Sequence, residues 1–98
     1  MKATEVFEEL VKDLDKKDRS YVFCKINEYN RICCELFYKK VTHLPKILEL
    51  LHDDFYGRIE KKLNSEKQKS FLKNILTTTK KKYIRCYEIT ERNKRKQR

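Results

Sequence analysis

One glycine, Gly57, and one proline, Pro45, are all that the 98 residues hold of the two residue types on which tight turns depend. Hairpins, sandwiches and barrels need many such turns, and only residues with a preset or a freely positive φ close them cheaply. Their scarcity argues against short strands and predicts a few long helices. No run of about 18 apolar residues occurs, which excludes a membrane-spanning segment. The opening residues Met1-Lys2-Ala3-Thr4-Glu5 are charged and show no apolar signal segment. The expectation is an intracellular, reducing compartment, the nucleus in a eukaryotic cell and otherwise the cytoplasm. In such a compartment Cys24, Cys33, Cys34 and Cys86 stay thiols, and the neighbours Cys33 and Cys34 diverge around a helix instead of pairing.

The length suits one domain and leaves no room for a second of ordinary size. Charged residues make up 41% and hydrophobic ones 39%, a poor ratio for a stand-alone core. The apolar residues are large, however, with five phenylalanines and six tyrosines, which is too much apolar surface for a disordered chain. It also points to surface buried against a partner. The net charge of +10 is unevenly spread. Residues 1–60 hold eleven Lys/Arg and twelve Asp/Glu, whereas 61–98 hold fourteen and three. A near-neutral body therefore carries a basic C-terminal end.

Apolar spacing divides the chain into helices. Val6, Phe7, Leu10, Val11 and Leu14 form one stripe over about 3–14. Asp15-Lys16-Lys17-Asp18 connects it to the next segment, which Asp18 is placed to cap. Over about 19–41, Val22, Ile26, Tyr29, Cys33, Leu36 and Lys40 form a stripe flanked by Phe23, Asn30 and Phe37, wide enough for two packed neighbours. Pro45 then opens a helix over about 45–63 with Leu44, Leu48, Leu51, Phe55, Ile59 and Leu63 on one face. That segment reads equally well as continuous or as broken near Asp53. Ser65 with Gln68 three residues on makes a capping box. The helix it starts carries Leu72, Ile75, Thr79, Lys82 or Tyr83, Cys86 and Ile89. After Thr90 the periodicity is lost, which predicts a frayed or disordered basic tail over 91–98. The expected fold is all-α, a bundle of four to five helices over 1–90 followed by that tail.

Three constellations bear on chemistry. The four cysteines with His43 and His52 invite zinc, but structural sites bring ligands in close pairs such as C-x2-C or H-x3-H, and none occurs. Neither metal nor cofactor is expected. Asp53 and Asp54 point about 100° apart on a helix, and capping or a solvated turn accounts for them more simply than catalysis. A single glycine allows no phosphate-cradling loop. The third constellation is the basic end: Lys80, Lys81, Lys82, Arg85, Arg92, Lys94, Arg95, Lys96 and Arg98, interleaved with Tyr83 and Tyr87. Lys and Arg neutralise phosphates with release of counterions, and tyrosines stack on unpaired bases. A solvated helix face, or a tail that meets an acidic protein, is the plainer alternative.

The stretch from Glu28 to Ile89 resembles the helical domain of the GINS proteins, subunits of the replicative helicase complex. Tyr29, Arg31 and Glu35 fall on the first helix of that likeness. The hexapeptide Leu51-His52-Asp53-Asp54-Phe55-Tyr56 follows, with His52 where the family has proline, and then Ile59 and Leu63. A later motif is Arg85-Cys86-Tyr87-Glu88-Ile89, with Glu88 in place of lysine. Members commonly carry a small β-rich domain as well, and no segment here reads as one. The resemblance implies a non-catalytic scaffold that assembles with other subunits and bridges the helicase ring and its companion factor. Leu51, Phe55, Tyr56, Ile59, Arg85 and Ile89 would serve as its interface or core positions, near DNA but without membrane or small-molecule substrate. The alternative to such a subunit is an independent basic helical protein that binds DNA or RNA directly. A small adaptor for an acidic protein is the third.

Overall fold

The first apolar stripe forms a helix, α1 (Ala3–Val11), that stops sooner than its pattern. The computed structural model describes residues 3–96, with side chains from 5 to 95. Asp13 takes a left-handed conformation, φ 68°, and the Leu14 N–H reaches back to the Val11 carbonyl at 3.1 Å. Short polar side chains tolerate that region better than most. Leu14 is thereby returned to the interior at 5% exposure.

The second helix, α2 (Lys16–Tyr38), starts and ends three residues earlier than its apolar spacing predicts. Asp15, not Asp18, is its cap: the Asp15 carboxylate accepts the Asp18 N–H at 2.8 Å. Asp18 lies inside the first turn and faces Lys62 at 3.7 Å. At the other end the Lys40 N–H bonds the Phe37 carbonyl and the Val41 N–H the Leu36 carbonyl, with Lys40 left-handed at φ 57°. Glycine usually holds that position because it carries no Cβ. Lysine holds it here, and His43 at φ 59° makes the second left-handed bend before α3 (Leu44–Glu60).

Helix α3 is continuous through Asp53 and Asp54, and Pro45 sits in its first turn, where a missing N–H costs nothing. Gly57 lies within this helix, where an added Cβ would meet nothing within 4 Å. The chain thus makes its left-handed bends with Asp13, Lys40 and His43 and places its one glycine in a helix.

Helix α4 (Glu66–Lys96) opens on the expected capping box, drawn tighter than the motif requires. Gln68 N–H donates to the Ser65 hydroxyl at 3.1 Å, while Gln68 Oε1 accepts from the Ser65 and Asn64 N–H groups. Gln68 Nε2 then donates to the Lys12 carbonyl at 2.7 Å, which ties the end of α1 to the start of α4. The helix runs on to Lys96, well past Thr90, where loss of apolar periodicity predicted fraying. Within that stretch a Glu91–Lys94 pair at 3.3 Å and a Thr90 hydroxyl bonded to the Cys86 carbonyl support the backbone locally. Arg98 lies outside the described residues.

The described chain is an all-α bundle of four helices without a strand. Helix α4 is its spine and packs on each of the other three. It lies parallel to α2, with Asn30 beside Thr79 and Phe37 beside Tyr83, and antiparallel to α3, with Glu49 beside Lys80 and His52 beside Thr77. The core joins Leu10, Val22, Tyr29, Leu48, Ile59 and Leu72, all fully enclosed. No described helix is long and apolar enough to cross a membrane. The molecule measures 54 × 24 × 18 Å, elongated along α4, whose 31 residues span about 46 Å.

Candidate nucleic-acid interface

Helix α4 changes character along its length. Gln68, Leu72 and Leu76 are its buried residues, and beyond Leu76 no described residue of α4 is fully enclosed. Tyr83, Ile84 and Tyr87 continue the inner face, half-buried against the core, with Tyr83 beside Phe37 of α2. Opposite that face stand Lys81, Arg85, Glu88, Arg92 and Arg95, all exposed. Their spacings of four, three, four and three residues hold them on one side of the helix. The stripe is about 21 Å long at the α-helical rise of 1.5 Å per residue. Four cations and one carboxylate compose it, and none of the four cations has an acidic partner within ion-pair distance among the described residues.

The remaining basic candidates are differently placed. Lys80 is bound to Glu49 at 3.1 Å and is only 13% exposed, so it joins α3 to α4. Lys82 lies over the Tyr83 ring at 5.5 Å. Lys94 is paired with Glu91. Lys96 is the last residue of the helix. Burial, and next the neighbouring Cys34, push the Tyr83 hydroxyl up to about 12, so it is a neutral donor throughout the physiological range.

The hexapeptide turns its apolar residues and His52 inward and leaves Asp53 and Asp54 exposed. Phe55 is 4% exposed and Ile59 0%, with the Phe55 ring 5.4 Å from that of Tyr29. Leu51 and Tyr56 are partly buried against the same core. Burial, and then Glu60, raise the Tyr56 hydroxyl above its ordinary value. Arg85 and Ile89 differ: both are exposed, Ile89 at 46%, so neither is a core position of this chain. Ile89 follows Cys86 by three residues, but it falls between the packed face and the basic stripe.

His52 carries a role that spacing did not reveal. It is 5% exposed, and its ring nitrogens meet Thr77 Oγ1 and Asp53 Oδ1, each at 3.2 Å. Both ring nitrogens are satisfied, and the Thr77 contact pins α3 to α4 across the core. The contact spans 25 positions, which no local pattern encodes. Asp54 pairs with Arg58 at 3.1 Å, so the adjacent carboxylates serve separate local partners. Among the described residues no group of three or more His, Cys, Asp or Glu side chains could hold a metal ion. Cys33 is enclosed, and burial raises its thiol above the ordinary value.

Compared with known proteins, the chain matches no family model, no curated protein and no solved structure.

Proposed function

We propose that this chain is a non-catalytic helical subunit of a nucleoprotein assembly, and that the outer face of α4 is its nucleic-acid side. The observation that carries the reading is the one-sided stripe of Lys81, Arg85, Arg92 and Arg95, exposed and without acidic partners. Cations held in a row on a helix meet a phosphate backbone without first having to order the main chain that carries them. Each phosphate they neutralise releases condensed counterions. Four thiols without a disulfide suit a reducing compartment.

A replication scaffold of the GINS kind is the narrower form of the same proposal. Its support is the order of elements, a helix with Tyr29 followed by the hexapeptide helix and the long basic helix. Phe55 and Ile59 would then hold the domain together, and contact with other subunits would fall to exposed positions such as Arg85 and Ile89.

Anisotropy of labelled DNA titrated with the purified chain, repeated across salt concentrations, tests the wider reading. Log affinity should fall linearly with log salt by about 0.9 per neutralised phosphate on duplex and about 0.7 on a single strand. Replacing Arg85, Arg92 and Arg95 with Ala should lower that slope. Binding that ignores both salt and these substitutions would sink the nucleic-acid assignment. Recovery of partner subunits from native cells tests the narrower form.

A further inference from the structure

The C-terminal end of α2 and the distal part of α4 enclose a cleft of about 200 Å³. Phe37, Tyr38 and Tyr87 line it with aromatic rings, and Lys40, Glu91 and Lys94 supply its charges. Tyr38 is 74% exposed, the most open of the large apolar side chains. A single exposed tyrosine needs no explanation. This one belongs to a three-ring cleft, and Phe37 meets it edge-on, with centroids 5.5 Å apart at 72°, so most of its ring surface stays open. Glu91 is held by Lys94 at 3.3 Å, which leaves Lys40 as the uncompensated charge at the cleft.

A second depression adjoins the first, with Tyr87 and Glu91 as shared walls and Arg92 and Arg95 on its far side. Aromatic surface and the basic stripe are therefore continuous around α4. Duplex DNA presents phosphates but keeps its base faces stacked inside. An unpaired strand presents both.

Resting on the nucleic-acid reading above, we infer that this end of the molecule binds single-stranded nucleic acid, with an unpaired base on Tyr38 and the flanking phosphates on Arg92, Arg95 and Lys40. The base enters the cleft between Tyr38 and Tyr87. The strand then passes over Tyr87 onto the arginines. Stacking is indifferent to base identity, so the preference is for unpaired strands and not for a sequence.

The test uses the full chain with a labelled oligothymidylate of about a dozen nucleotides, within the range such sites cover, and a duplex of the same length. The single strand should bind more tightly. Tyr38→Ala should weaken that binding by about tenfold, the order of one lost base stack, and leave the salt slope unchanged. Tyr38→Phe should restore it, because the ring and not the hydroxyl does the stacking. Arg92→Ala with Arg95→Ala should lower the slope instead. A substitution at so exposed a ring leaves the fold intact, which an unchanged melting temperature checks. Equal affinity for strand and duplex, or Tyr38→Ala without effect, overturns this inference and leaves the wider reading standing. No salt-dependent binding to either probe overturns both.

Discussion

The two parts of α4 share one helical backbone and differ in how much of it is buried. From Glu66 to Leu76 the helix keeps an open face of Glu66, Lys67, Ser70, Lys73 and Asn74 and supplies Gln68, Leu72 and Leu76 to the interior. From Thr77 to Arg95 it encloses no residue fully, keeps one half-covered face, and gives the other to cations. A stretch of helix that has packed neighbours is held by burial. One that outruns them is held by propensity and by pairs such as Glu91–Lys94, each worth only about 0.2–0.5 kcal/mol. Stability therefore concentrates at one end of the molecule and charge at the other. Substitutions should divide the same way.

The largest effect is expected at Phe55, in the packed part. Phe55→Ala removes a ring that is 4% exposed and lies against Tyr29, and should cost about 3–5 kcal/mol in denaturant unfolding. Tyr56→Ala, at a half-buried position, should cost visibly less. Equal losses would break the division between core and rim on α3.

Gln68 comes next because its one side chain serves both α1 and the start of α4. Gln68→Ala should cost about 2 kcal/mol, the sum of a lost cap and a lost buried hydrogen bond. Gln68→Glu keeps the acceptor for the Asn64 and Ser65 N–H groups but loses the donor to the Lys12 carbonyl. Amide exchange should then rise in α1 more than in α4, which sharpens the comparison by separating clamp from cap.

Tyr29→Phe should act in the opposite direction. Its hydroxyl is buried without a hydrogen-bond partner of good geometry, and the Cys33 thiol beside it is a weak one. Removing an unsatisfied buried hydroxyl should raise stability by about 1 kcal/mol. Burial, and then Cys33, raise this phenol far above its ordinary value. Above about pH 10 the unfolded chain releases the proton and the folded chain retains it, so stability falls as pH rises. Melting curves across that range should fall less steeply for Tyr29→Phe than for the parent chain. An unchanged slope would contradict the burial of this hydroxyl.

The smallest effects are expected at positions that touch nothing. Gly57→Ala should add about 0.5–1 kcal/mol by helix propensity, since no atom lies within 4 Å of the new Cβ. Ala at Arg92 and Arg95 should shift stability by no more than about 0.5 kcal/mol, although both belong to the proposed binding face. A large loss there would show that the distal part of α4 is packed after all.

Most of the core was legible in sequence. Val22, Ile26, Tyr29 and Cys33, and Leu44, Leu48, Phe55, Ile59 and Leu63, are buried where helical spacing puts them. Ser65 and Gln68 cap α4 as their spacing predicts. Leu51 and Ile75 are partial exceptions, because His52 takes a more enclosed place than the first and Leu76, which the expected stripe omits, a more enclosed place than the second. Hydropathy alone does not rank a histidine above a leucine. Thr77, across the bundle, is what satisfies the His52 ring and makes its burial tolerable.

Scarce glycine and proline, helical periodicity and the +11 balance of 61–98 determined by themselves that the chain is helical and basic at one end. These are properties of composition and of residues a few positions apart. Tertiary structure alone decided which cations are open and which are spent, as with Lys80 on Glu49. It also decided that Tyr38 and Tyr87 line one cleft. The first outcome joins residues 31 positions apart and the second residues nearly fifty apart, and local spacing carries no record of either.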